Sequence, residues 1–100
     1  MTTPATALIA EDEPLLRDQL RHRLRDAWPE LEIVAAAGTG ADALAAFEAH
    51  PTDVAFLDIR MPVMSGLDVA REIAGRTHVV FVTAYDEYAI AAFDEGAVDY

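Results

Sequence analysis

The sequence predicts an open, doubly wound parallel α/β sheet with helices on both faces. Two observations carry that expectation. Short apolar runs recur at residues 7–10, 33–36, 54–57 and 79–82, with a fifth beginning at 97–100. They are rich in Ala, Val, Ile, Leu and Phe, as expected for strands covered on both faces. Longer amphipathic stretches alternate with them, which is the pattern of βαβ units joined by right-handed crossovers. A chain of 100 residues is enough for one core and too short for an eight-fold barrel.

The helices have readable starts and stops. Pro14 suits a first helical position, where its missing N–H would have no partner anyway. Leu16, Leu20, Leu24 and Trp28 then fall four apart and form one apolar stripe, which Pro29 ends. Thr39 or Gly40 opens a second helix with Leu44 and Phe47 inward. Ser65 and Asp68 form a capping-box pattern for a third, with Leu67, Ala70 and Ile73 on one face. Asp86 suits the cap of a fourth, carrying Ala89, Ala92 and Phe93, and Gly96 suits its stop. Trp28, Phe47 and Phe93 read as packing residues. His22 lies among arginines on a polar helix face and is expected to be solvated, and His50 and His78, at element boundaries, lack the spacing of a metal site.

Composition narrows the function. The net charge is −11, and all seven basic residues are arginine. Nucleic-acid binding by this segment is disfavoured, because phosphate contacts need a positive face. There is no cysteine, so disulfides and thiolate metal sites are excluded. No apolar run approaches a membrane span. Residues 1–5 lack the basic-then-apolar pattern of a signal peptide, and a cytoplasmic location is expected.

In open α/β sheets, ligands bind outside the carboxyl ends of the strands, at the switch in strand order. After the first run stand Glu11, Asp12 and Glu13, after the third Asp58, and after the fourth Thr83. With the first and third strands adjacent, Glu11, Asp12 and Asp58 converge. Three such carboxylates raise one another's pKa unless a cation joins them. Oxygen ligands alone point to Mg²⁺ or a similar hard ion. A carboxylate beside Mg²⁺ is a suitable phosphoryl acceptor.

These segments carry a resemblance. Leu8-Ile9-Ala10-Glu11-Asp12-Glu13-Pro14, Phe56-Leu57-Asp58-Ile59-Arg60-Met61-Pro62 with Ser65-Gly66, and Val82-Thr83-Ala84 resemble the receiver domain of two-component response regulators. The stretch from Thr83 to Tyr100 is most similar to receivers that precede a LytTR DNA-binding domain. The resemblance implies a flavodoxin-like (CheY-like) sheet of order 2-1-3-4-5. It also implies that Asp58 is phosphorylated by a histidine kinase. Asp12 would bind Mg²⁺ directly, Glu11 would act in the same acidic pair through water, and the Arg60 backbone carbonyl would complete the protein ligands. Thr83 would bond a phosphoryl oxygen, Ala84 would leave room for the phosphoryl group, and Tyr100 would be the switch aromatic. The implied partners are a sensor histidine kinase and a second copy, held through the fourth helix and fifth strand. DNA would be reached only through an output domain outside this segment. The family pattern places a Lys-Pro pair and a last helix beyond Tyr100, so residues 1–100 are expected to be a receiver domain ending within its fifth strand.

Other readings weigh less. A phosphatase with an aspartyl nucleophile needs a second acid two residues on, where this chain has Arg60. A nucleotide or flavin site needs a Gly- or Ser/Thr-rich loop after the first strand, where Glu11-Asp12-Glu13 repels phosphate. The domain is therefore expected to be a signalling module and not an enzyme. A receiver used only as a phosphorylation-independent interaction domain is the remaining alternative.

Overall fold

The computed structural model describes residues 3–82. Four strands and three helices alternate along them: β1 (Thr6–Ala10), α1 (Pro14–Ala27), β2 (Glu32–Ala37), α2 (Gly40–Ala49), β3 (Val54–Leu57), α3 (Gly66–Ile73) and β4 (His78–Phe81). The strands form one sheet of order β2-β1-β3-β4, and every pairing is parallel. The expected fold class is therefore observed. The predicted fourth helix and fifth strand lie outside the described residues, as do Thr83, Ala84 and Tyr100.

Alternation along β1 assigns side chains to two faces. Leu8 and Ala10 enter a core with Phe47 of α2, Val69, Ala70 and Ile73 of α3, and Leu57 and Phe81. Ala7 and Ile9 enter a smaller cluster with Val54 and Phe56, flanked by Leu20 and Leu24 of α1. α2 and α3 thus cover one face and α1 the other.

The caps follow the sequence. Pro14 is at the first turn of α1. The Thr39 hydroxyl accepts from the Asp42 N–H at 3.0 Å. Ser65 and Asp68 form a reciprocal capping box, with N–H groups donating to Asp68 Oδ2 at 3.1 Å and to Ser65 Oγ at 3.2 Å. Three details differ from expectation. α1 ends at Ala27, and Trp28 is its C-cap, with the Trp28 N–H still donating to the Leu24 carbonyl. The α1 stripe is only partly inward, since Leu16 is 50 % exposed. The β1–β2 register also shifts between Ala7 and Leu8, so that Val34 is passed over. No periodicity announces that bulge, because it arises from pairing between strands.

Candidate functional site

Parallel strands bring the ends of β1 and β3 together. Ala10 pairs with Leu57, and the next residue on each strand turns into the site. The Asp58 N–H donates to the Ala10 carbonyl at 2.9 Å, and the Glu11 N–H donates to the Ala37 carbonyl at 3.0 Å. Two ladder bonds beyond the strands thus fix the backbones of both acids. Arg17 of α1 donates from Nη1 to the Glu11 carbonyl at 2.9 Å, holding the β1–α1 turn.

Carboxylate oxygens of Glu11, Asp12 and Asp58 all lie within 4.8 Å of one another. Glu11 is only 8 % exposed, while Asp12 and Asp58 are half-buried. Burial, then a hydrogen bond with Asp58, pushes the Glu11 carboxyl up to about 8; the nearby negative charges add to this. The Glu13 N–H partly offsets the rise by donating to Glu11 Oε1 at 3.2 Å. The expected mutual repulsion is therefore present, and an anionic pocket made of oxygen donors alone fits a hard divalent cation.

The acids open into a cleft of about 1000 Å³. Its walls include Arg60, Met61 and Pro62 of the β3–α3 loop, Leu16 and Leu20 of α1, and Val82. Of the residues singled out from sequence, Glu11, Asp12 and Asp58 meet, and Arg60 lines the same cleft. The Val82 N–H donates to the Leu57 carbonyl at 2.9 Å, continuing the ladder past β4 on the site side.

Sequence reasoning missed three supports. Ile59 is buried in the core and, beside the buried Met61, anchors the loop after Asp58. Gly66 lets α3 approach so closely that a Cβ there would overlap the Asp58 carbonyl oxygen and stand 2.8 Å from its carbon. Gly40 lets α2 approach the Met64 carbonyl in the same way. The first two lie within or beside the quoted motifs, but close approach is a tertiary fact that spacing does not reveal.

A parallel α/β sheet with an acidic cluster at its β1 and β3 ends is the arrangement that the resemblance in the sequence implies. The chain belongs to the response regulator receiver domain family, whose model matches residues 7–100. It is 53 % identical over 103 residues to an uncharacterized response regulatory protein of Vibrio cholerae, covering 100 % of this chain and 40 % of that protein. It is 43 % identical over 95 residues to the transcriptional regulatory protein BtsR of Escherichia coli, covering 93 % of this chain and 39 % of that one. The chain thus spans about two fifths of the length of these curated relatives. Among solved structures, the response regulator TrrA of Thermotoga maritima in complex with Mg²⁺–BeF superposes with a TM-score of 0.84 at 33 % identity, covering 96 % of this chain and 84 % of that one. No helix among the described residues is long and apolar enough to cross a membrane.

Proposed function

We propose that the chain is a phosphoacceptor receiver in which Asp58 takes a phosphoryl group from a sensor histidine kinase. The observation that carries this reading is the convergence of Glu11, Asp12 and Asp58 within 4.8 Å at the mouth of an open cleft. An Asp58 carboxylate oxygen forms a bond to phosphorus as the phosphorus–nitrogen bond of the donor's phosphohistidine breaks. The departing imidazole keeps the electron pair, its other ring nitrogen carrying a proton. Asp12, Asp58 and the Arg60 carbonyl would hold Mg²⁺, with Glu11 acting through water. When bound, the ion supplies charge neutralisation for the transferring group. Gly66 and the ladder bond to Ala10 hold the Asp58 backbone, so catalysis is mostly positioning.

The acyl phosphate adds negative charge and acceptor oxygens. Thr83 binds one of those oxygens, Ala84 leaves space, and Tyr100 turns inward as Thr83 moves. A two-state equilibrium shifts in this way and alters the face of the fourth helix and fifth strand, through which two copies pair. The output is a LytTR DNA-binding domain controlling transcription. The similarity to a transcriptional regulatory protein supports the control of transcription. The domain works in the cytoplasm as a signalling module, promoting only its own phosphorylation and dephosphorylation.

The test is intact-mass measurement after incubating the purified protein with Mg²⁺ and acetyl phosphate. One phosphoryl increment is expected in the wild type and none in Asp58→Ala. No increment in the wild type, with partner binding retained, would make the chain a phosphorylation-independent interaction domain.

A further inference from the structure

The β3–α3 loop next to Asp58 contains a strained turn. Val63 has φ 67° and is the one non-glycine residue with positive φ among the described residues. Its side chain is fully exposed. The Met64 N–H donates to the Pro62 carbonyl at 2.7 Å, closing a three-residue turn around Val63. A β-branched residue there costs of the order of 1–3 kcal/mol and persists only where the surroundings over-determine it.

The surroundings are identifiable. On one side Ile59 and Met61 are anchored in the core, and the Gly66 N–H donates to the Ile59 carbonyl at 2.9 Å. On the other side Gly40, the first residue of α2, lies directly against Met64. A Cβ on Gly40 would overlap the Met64 carbonyl oxygen and stand 2.9 Å from both its carbonyl carbon and its Cβ. Much of that obstacle is backbone, which cannot swing aside. Gly40 is itself fixed, since it is buried and follows Thr39, the N-cap of α2.

We propose that Gly40 is a positioning residue of the phosphoacceptor site: by its contact with Met64 it holds the strained loop so that Arg60 stays in place beside Asp58. This inference rests on the metal-binding role of the loop given above. Gly75 provides a contrast. It lies beyond α3 with φ 82°, and a Cβ there would meet nothing within 4 Å, so alanine strains the backbone without pressing on the site.

The experiment is calorimetric titration of Mg²⁺ into four proteins. Gly40→Ala is expected to weaken Mg²⁺ binding by about tenfold or more, the usual size of a supporting-residue effect. Gly75→Ala, which strains a turn that touches nothing at the site, stays within about twofold of wild type, well under that tenfold effect. Gly40→Ala/Val63→Gly recovers most of the loss, because glycine lets the turn re-form around a displaced Met64. Amide exchange in the wild type gives a second readout that needs no variant. Mg²⁺ is expected to slow exchange at Met64 and at Ala43, whose N–H donates to the Thr39 carbonyl at the start of α2. Unchanged Mg²⁺ affinity in folded Gly40→Ala, or no slowing at Ala43 when Met64 slows, would overturn the proposal. Both readouts are independent of phosphoryl transfer, so wild type that binds Mg²⁺ but accepts no phosphoryl group refutes the proposed function alone. Wild type that binds no Mg²⁺ refutes both.

Discussion

The two faces of the sheet are built to different standards. The α2–α3 face carries a continuous core in which Leu8, Phe47, Leu57, Val69, Ile73 and Phe81 are essentially inaccessible. The α1 face has four buried members, all from the sheet, of which only Ala7 and Ile9 are fully inaccessible, and α1 itself contributes no buried residue. Leu15 is 70 % exposed and Leu16 50 %. The difference bears on function, because the β3–α3 loop is anchored by Ile59 and Met61 in the tight face. Position at the acidic site is bought where packing is dense, and α1 closes one wall of the cleft with less commitment.

Mutations should separate the faces. Phe47→Ala empties a fully buried site and is expected to cost about 3–5 kcal/mol in chemical denaturation. Leu16→Ala on the looser face should stay within about 0.5 kcal/mol. Equal losses would erase the distinction between the faces.

Metal comes next in size. Mg²⁺ at one hundred times its dissociation constant should stabilise the folded protein by about 2.7 kcal/mol. Asp12→Asn should abolish this gain. Without Mg²⁺ the same variant should melt higher than wild type, because a negative charge beside Asp58 and the buried Glu11 is gone. A Tm insensitive to Mg²⁺ in wild type would count against the site.

Ser65→Ala removes the hydroxyl half of the α3 capping box and should cost about 1 kcal/mol. Because α3 also presses Gly66 against Asp58, this variant should weaken Mg²⁺ binding as well as stability. The smallest effect is expected at Glu48, whose carboxylate binds Arg76 at 2.6 Å on the exposed rim of the tight face. The Arg76 guanidinium holds the Glu48 carboxyl below its usual range. Its contribution is therefore present above pH 4.5 and fades as pH falls through the lowered value. Glu48→Gln should shift Tm only slightly at neutral pH and not at all in acid, because exposed pairs are screened.

Much of this was legible in the sequence. Each described strand lies within one residue of an apolar run at either end, since strands buried on both faces need such runs. The helix start at Pro14 and the caps at Thr39 and Ser65 were readable because helix initiation is local chemistry. The acidic cluster followed from topology, because parallel pairing places strand ends side by side. What could not be read depends on contacts distant in sequence. The Val34 bulge, the exposure of Leu16, the bond from Arg17 to the Glu11 carbonyl and the approach of Gly40 to Met64 have no local pattern to announce them.

The most direct measurement is where the phosphoryl group goes. After phosphorylation with acetyl phosphate and Mg²⁺, the protein is reduced with borohydride, which converts an acyl phosphate to an alcohol, and mapped by peptide mass spectrometry. Three carboxylates share the pocket, and only Asp58 sits at the end of β3 with its backbone held by Ala10 and Gly66. The account predicts that the reduced residue is Asp58 alone. Reduction at Glu11 or Asp12, or a phosphorylated protein with Asp58 unmodified, would contradict it.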